Sequence, residues 1–393
     1  MKKHRKPLIA SAVVLASVVL ALTAADIIFR IYERIDCITD VDKNAPVFDL
    51  PSYDFNDHGP ALARDEEPGE FRILSIGDSF TAAVTKPQYT FSAVLERDLN
   101  RLGTGKRVRV VNLGVLGVSF PEYMANYVFW SKLLRFDAVV FNICLENDFS
   151  DVEKTPYDPK LVQLDTFRSG VGVTLPHRYP LRFLDYIYGK IKASSHAKPA
   201  NEYYRQTFQV PWDQYVSLMA GFGLIFNPEK LPKFVNGLTW AGHFMEFIKQ
   251  LEDSGIKVAV MASPPHTYYN EQLLREMTAR MGVEPEALDP ALPFHIVKTL
   301  AGRHGVAGEI IDPDPCLALH AGKGEDLYYG TDTHWNVQGN QVIGDFLADA
   351  LAARWFGGAP KPPASDCPAG AKSLEAGAPA KAALQGMIEK LGL

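Results

Sequence analysis

Ser79 follows the apolar run Arg72-Ile73-Leu74-Ser75-Ile76-Gly77 and a single acid, Asp78. A serine just past the carboxyl end of a parallel strand stands where open α/β sheets hold their ligands. The N–H groups that begin a following helix suit a nucleophile whose attack creates an oxyanion. Far along the chain, Tyr328-Tyr329-Gly330-Thr331-Asp332-Thr333-His334-Trp335-Asn336 precedes a long helical pattern. A histidine there can take the serine proton and later return it to a leaving group. A carboxylate two residues earlier can hold the imidazole tautomer and offset the imidazolium charge. Ser79, Asp332 and His334 are therefore the candidate nucleophile, orienting acid and base. Two oxyanion donors stand after other strands: the backbone N–H of Gly117 in the 114–117 turn, and the side-chain amide of Asn147 in Glu146-Asn147-Asp148-Phe149. Each piece alone has a plainer reading. Gly-Asp-Ser makes a turn and a cap, Asp332 caps a helix over a packed His334, and the glycine and Asn-Asp pairs make turns.

These residues need a scaffold that brings them to one edge. Short apolar runs predict buried parallel strands at 72–77, 108–113, 137–143, 256–261 and 309–311. Helical patterns lie between them at 90–102, 121–134, 239–253, within 271–304 and at 337–355. Strands alternating with helices predict a doubly wound α/β sheet with right-handed crossovers. The alternation stops at about 150 and resumes at 239. The intervening aromatic-rich stretch, with Tyr157, Phe167, Tyr179, Trp212 and Tyr215 among its rings, reads as an insertion that caps the sheet.

Gly77-Asp78-Ser79-Phe80, the Gly117 turn, Asn147-Asp148 and Asp332-Thr333-His334-Trp335-Asn336 stand in the order of the four blocks of the SGNH (GDSL-type) hydrolase superfamily, which the chain resembles over 71–148 and 239–355. The resemblance implies a flavodoxin-like three-layer α/β/α fold with a parallel sheet. It also implies Ser79 as nucleophile, His334 as base, Asp332 as its acid, and the Ser79 N–H, Gly117 N–H and Asn147 amide as oxyanion hole. Two positions depart from the family pattern. Leu145 holds the place of a glycine in the third block, and Thr331 stands three before His334, where the acid is usual. The resulting Asp-x-His-Trp form resembles the branch containing alginate O-acetyltransferases and related envelope polysaccharide acylation proteins. The implied activity is a serine esterase or O-acyltransferase working on ester-linked acyl groups, chiefly acetyl, of a cell-envelope glycan or related ester. The alternative is a catalytically degenerate SGNH domain that binds polysaccharide in an envelope assembly.

The remaining sequence concerns placement. With 40 Lys and Arg against 46 Asp and Glu and no basic block outside the N-terminus, the chain lacks the clustered cations a nucleic-acid binder needs. Residues 1–6 form a cationic cap on the apolar stretch 8–29, which Asp26 alone interrupts with a charge. That stretch approaches the ~20 residues of a membrane-spanning helix, and Lys and Arg before it favour a cytoplasmic N-terminus. A single-pass anchor over 1–30 in a bacterial inner membrane is expected, with the catalytic domain in the periplasm or outside the cell; cleavage after Ala25 is the rival. The expected partners are an acylated carbohydrate, the membrane itself and a membrane-embedded acyl-donor protein.

Residues 31–70 read as a linker, 71–356 as the SGNH-like domain with its insertion at about 150–238, and 357–393 as a low-complexity tail rich in Gly, Ala and Pro whose last stretch has helical spacing. Four cysteines allow one or two bridges, of which Cys316 with Cys367 is one pairing, while Cys144 reads as a small core residue. No glycine-rich nucleotide motif or paired metal-ligand spacing is present, so no cofactor and no metal is expected. The other histidines read as surface or satisfied core residues, and His266, after a strand end at 263–265, is the one placed to line the cleft.

Overall fold

The computed structural model describes residues 17, 21–24, 68–82, 85, 87–158, 210–308, 310–357, 363–367 and 375–393. Five strands, β1 (Glu70–Gly77), β2 (Arg107–Asn112), β3 (Ala138–Cys144), β4 (Lys257–Ser263) and β5 (Ile310–Ile311), form one sheet in the order β2-β1-β3-β4-β5. Every pairing is parallel, with Leu74 opposite Val111 on one side and Val139 on the other. Because successive side chains point to opposite faces, Leu74, Ile76, Val139, Phe141 and Val260 enter one core while Ile73, Val110, Val140 and Met261 enter the other. This two-sided burial is why the strands read as unbroken apolar runs.

The helices are α1 (Ser79–Ala82), α2 (Phe91–Arg101), α3 (Phe120–Leu133), α4 (Asp148–Asp151), α5 (Trp212–Phe222), α6 (Val235–Asp253), α7 (Glu271–Met281), α8 (Leu292–Arg303), α9 (Asp314–Gly322), α10 (Val337–Phe356) and α11 (Ala378–Leu391). Helices α3, α6 and α8 cover one face through Tyr123, Trp240, Phe244 and Ile296. Helices α2, α9 and α10 cover the other through Phe91, Leu95, Leu317 and Leu347. The result is the expected three-layer α/β/α arrangement.

Local chemistry sets the helix starts. Thr90 caps α2 by accepting from Ala93 N–H at 3.2 Å, and Asn336 caps α10 by accepting from Gly339 N–H at 2.9 Å. Helix α6 begins at Val235, four residues before the predicted 239, because Glu153 and the chain beside it receive its first turn: Gly237 N–H donates to Glu153 Oε2 at 3.1 Å.

The tail needs correction. The helical spacing at the end of the tail forms a helix that starts at Ala378, inside the tether stretch, and does not fray: Ala380, Leu384, Met387 and Ile388 of α11 are buried in the α6–α8 core. Its apolar stripe at i, i+4, i+7 and i+8 makes a docking helix. Cys316 and Cys367 form a disulfide that ties residues 363–367 to α9, and Cys144 is buried and free. Among the described residues no helix is long and apolar enough to cross a membrane. The expected anchor lies outside the described residues except at 17 and 21–24, which are helical. The part of the insertion at 159–209 and the linker to 67 also lie outside them.

Candidate active site

The strand order places the reversal of winding between β1 and β3, and the carboxyl ends flanking such a reversal form the ligand crevice of an open α/β sheet. Ser79 opens α1 directly after β1, and Asn147 stands just after β3. The turn carrying Ser79 is built by its neighbour: the Asp78 side chain accepts from Phe80 N–H at 2.9 Å, and the Asp78 carbonyl accepts from Ala82 N–H at 2.9 Å. Ser79 Oγ lies 3.5 Å from Asp78 Oδ2, a long contact. Helix α1 is a single turn, so its dipole contributes little; what it supplies is backbone donors at a fixed place.

A polar ladder beneath this turn carries residues that the alternating pattern of apolar strands did not single out. Asn112 Nδ2 donates to the Thr81 carbonyl at 2.7 Å, Asn142 Nδ2 donates to Thr81 Oγ1 at 3.2 Å, and Ser263 Oγ donates to Asn142 Oδ1 at 2.5 Å. All four residues are buried. The ladder runs from β2 through Thr81 of α1 to β3 and β4, and it locks the Ser79 turn to the sheet edge. Their only sequence signal was polar residues at the carboxyl ends of otherwise apolar strands.

Two glycines let the backbone come this close. A Cβ on Gly77 would lie 2.2 Å from Thr81 Oγ1, and one on Gly114 would lie 2.1 Å from Ala82 N. Gly117, the predicted oxyanion donor, sits instead on an exposed part of the same turn with φ +69, and no described atom outside its chain neighbours lies within 4 Å of where a Cβ would stand. Close packing on the Ser79 turn thus belongs to Gly114. Gly114→Ala is expected to cost about 3 kcal/mol through overpacking against backbone, and Gly117→Ala about 1 kcal/mol through its left-handed φ. Thermal unfolding of the two variants checks the order, and equal losses would contradict it.

Asp332 and His334 meet on the loop between α9 and α10. Asp332 Oδ1 lies 2.5 Å from His334 Nδ1 and accepts from His334 N–H at 3.0 Å, so one carboxylate oxygen fixes both ring and backbone. The loop is closed by Tyr329 N–H donating to the His334 carbonyl at 3.0 Å and by a bridge between Tyr328 and Trp335. The His334 ring is 5.0 Å from the Phe80 ring, centroid to centroid, which sets it beside the Ser79 turn. Trp335 packs edge-on to Phe80 at 4.9 Å and fastens the loop to α1. The structure therefore brings Ser79, Asp332 and His334 to one edge.

The third strand end is more engaged than expected. Asn147 Nδ2 donates to Asp151 Oδ2 at 2.6 Å, which uses one of its two N–H bonds. The next residue, Asp148, is a frame element: its carboxylate accepts from Tyr123 Oη at 2.9 Å and from Cys144 N–H at 2.9 Å. Burial raises the Asp148 pKa, and the Asp78 charge adds to the effect. Asp78 itself is raised to about 7 by burial, against the opposing pull of His334.

Glu146 is a site residue that sequence reasoning left without a role. It is buried, among the described residues its carboxyl oxygens have no hydrogen bond of standard geometry, and burial followed by the Asp78 charge pushes its pKa from 4.5 to about 8. The folded protein keeps this proton where the unfolded chain loses it. Stability from this group is thus fully present below pH 4.5 and is lost as pH rises through about 8. Glu146→Gln, neutral at every pH, is expected to gain about 2–4 kcal/mol over the parent at pH 8–9 and almost nothing near pH 4. Thermal melts across that range test it, and a gain independent of pH would refute the ionisation argument.

Outside this edge, Cys316, His320 and Cys367 bring donor atoms within 4.8 Å of one another, but the two sulfurs are covalently paired. His320 is held by Glu325 and Asp366 at 2.9 and 2.8 Å.

With this geometry in hand, residues 239–383 match the family model described as ALGX, the SGNH hydrolase-like domain of the acetyltransferase AlgX. That stretch is similar to an SGNH hydrolase-like domain. The match includes Asp332 and His334, whereas Ser79, Gly117 and Asn147 precede it. No curated protein sequence matches the chain.

Among solved structures, a lipase/acylhydrolase from Enterococcus faecalis is similar at 11% identity and TM-score 0.34, covering 72% of this chain and 96% of its own. An acetyl xylan esterase, AlAXEase, is similar at 13% and 0.33, covering 72% and 100%. A catalytic variant of an acetylxylan esterase from Geobacillus stearothermophilus is similar at 15% and 0.32, covering 73% and 94%.

Proposed function

We propose that the SGNH domain is a serine-dependent acyl-transfer enzyme that removes or installs acyl groups, chiefly acetyl, on a cell-envelope glycan or related ester. The observation that carries this reading is the Asp332–His334 pair, 2.5 Å apart, set beside the strand-end serine at the ligand edge of the sheet. The match of residues 239–383 to the domain of an acetyltransferase supports acyl transfer in particular.

In the reaction, Ser79 Oγ attacks the ester carbonyl carbon while His334 Nε2 takes its proton, and Asp332 holds the Nδ1–H tautomer and offsets the imidazolium charge. The oxyanion forms toward the Ser79 and Gly117 N–H groups and the second N–H of Asn147. Collapse breaks the bond to the alcohol oxygen, which receives the proton from His334 and leaves an acyl-serine. A second nucleophile, deprotonated by His334, attacks that ester and frees Ser79. Water as the nucleophile makes the protein an esterase, and a sugar hydroxyl makes it an O-acyltransferase. The apolar N-terminal stretch fits a membrane anchor that holds the domain on the outer side of the inner membrane, near a membrane-embedded acyl donor.

A serine-directed fluorophosphonate probe tests the enzyme. Labelling of the full chain that disappears in Ser79→Ala supports it. A folded chain that does not label is instead the polysaccharide-binding reading, which Leu145 in the glycine place and Asn147 turned to Asp151 favour. Products formed from acetylated and unacetylated oligosaccharides then separate hydrolysis from transfer.

A further inference from the structure

Tyr215, from the inserted segment, and His266, from the loop after β4, are both buried and have no part in the reaction above. Tyr215 Oη lies 2.8 Å from His266 Nδ1 and 3.3 Å from the backbone carbonyl oxygen of Asp332. The proton positions along this chain follow from what each atom is able to do. Asn270 Oδ1 accepts from Leu273 N–H at 2.9 Å as the cap of α7, so the amide nitrogen is the atom that faces His266 Nε2 at 3.4 Å. An amide nitrogen only donates, and Nε2 must accept. The neutral imidazole then carries its proton on Nδ1 and donates it to Tyr215 Oη. The Tyr215 hydroxyl proton is left for the Asp332 carbonyl. Burial lowers the His266 pKa to about 4, which keeps the ring in this single-proton form at neutral pH.

The relay is held at both ends. The His266 ring stacks on Tyr328 at 4.7 Å and 8°, and Tyr328 Oη donates to the Pro264 carbonyl at 2.8 Å. Helix α5, which carries Tyr215, is fastened to α7: Trp212 Nε1 donates to Glu276 Oε2 at 2.6 Å, and Arg280 pairs with Asp213. A second contact from the inserted segment reaches the same loop, where Val210 N–H donates to the Thr331 carbonyl at 3.4 Å.

We propose that Tyr215 and His266 are positioning residues that brace the Asp332–His334 loop, so that the inserted segment completes the reactive geometry as well as covering the sheet. The proposal rests on the reading of Ser79, Asp332 and His334 as the reacting set. The carbonyl that Tyr215 holds belongs to the peptide between Asp332 and Thr333. Fixing that plane fixes the backbone from which both the Asp332 carboxylate and the His334 ring project. Misplacement of reacting groups by about 1 Å costs on the order of 100-fold in rate, so a loose loop is expected to reduce kcat with little effect on substrate binding.

Three variants of the full chain test this: Tyr215→Phe, which keeps the ring and deletes the hydroxyl; His266→Leu, which deletes the relay; and His266→Asn, whose amide N–H stands where Nδ1–H stood. With an aryl acetate, kcat is expected to fall about 10–100-fold in Tyr215→Phe and His266→Leu with KM within about twofold, while His266→Asn recovers most of the rate. An undiminished kcat in Tyr215→Phe, or His266→Asn as impaired as His266→Leu, overturns the brace.

A readout independent of turnover is amide hydrogen exchange over residues 329–336. Tyr215→Phe is expected to speed exchange there by about tenfold or more, and unchanged exchange likewise overturns the proposal. Should the parent chain neither hydrolyse the ester nor label with fluorophosphonate, the enzyme reading falls, and the exchange measurement still decides whether the relay braces the loop.

Discussion

Ser79→Ala and His334→Ala are each expected to lower kcat on an aryl acetate by about 10⁴-fold or more, and the double variant to be no worse than the poorer single one, because nucleophile and base act as one unit. Without the hydroxyl there is no acyl-serine, and water must attack a bound ester directly. Without the imidazole the hydroxyl is present but holds its proton at neutral pH. What survives in either case is binding and oxyanion stabilisation. The two substitutions differ in their effect on the fold. Ser79 makes one long contact to Asp78, so its loss leaves the melting temperature nearly unchanged. His334 packs beside Phe80 and anchors the loop through Asp332, so its loss costs about 1–3 kcal/mol as well. Steady-state kinetics paired with thermal melts separate the effects. Parent-like turnover in Ser79→Ala would remove Ser79 from the mechanism.

Asp332→Asn is the second large effect, a fall in kcat of about 10³–10⁴-fold with geometry nearly intact. The carboxylate oxygen Oδ1 serves two donors, His334 Nδ1–H and His334 N–H. An asparagine oxygen can keep the backbone bond, but turning its NH₂ toward Nδ1 forces the ring proton onto Nε2, the atom that must accept from Ser79. Loss of the negative charge also leaves the imidazolium of the transition state uncompensated. Nitrogen NMR of the His334 ring is expected to show the Nε2–H tautomer in the variant and Nδ1–H in the parent. A variant with parent-like kcat would mean that another acid does this work. The buried Asp78, which His334's charge acts upon, is the carboxylate to replace next.

Much of the scaffold was legible because its physics is local. Strands buried on both faces must be apolar along their length, so 72–77, 108–113 and 137–143 announced themselves, and their ends pointed to Ser79, Gly117 and Asn147. The Asp332–His334 pair was legible because two residues on one loop need no tertiary information to meet. Helix α11 was legible only as helical spacing; that it docks was not, since nothing local shows that α6 and α8 supply a surface for Leu384 and Ile388.

The sequence by itself determined the alternation of strands and helices, the residue types able to perform acyl transfer, and the strand ends at which they stand. Only the tertiary structure decided which glycine packs beneath the Ser79 turn, that one Asn147 N–H is committed to Asp151, that burial raises the proton affinity of Glu146, and that Tyr215 reaches the Asp332 carbonyl across 117 positions. The reason is physical. Periodicity and spacing encode contacts along the chain, whereas burial, proton affinity and close approach depend on which distant segments the folded sheet brings to the same edge.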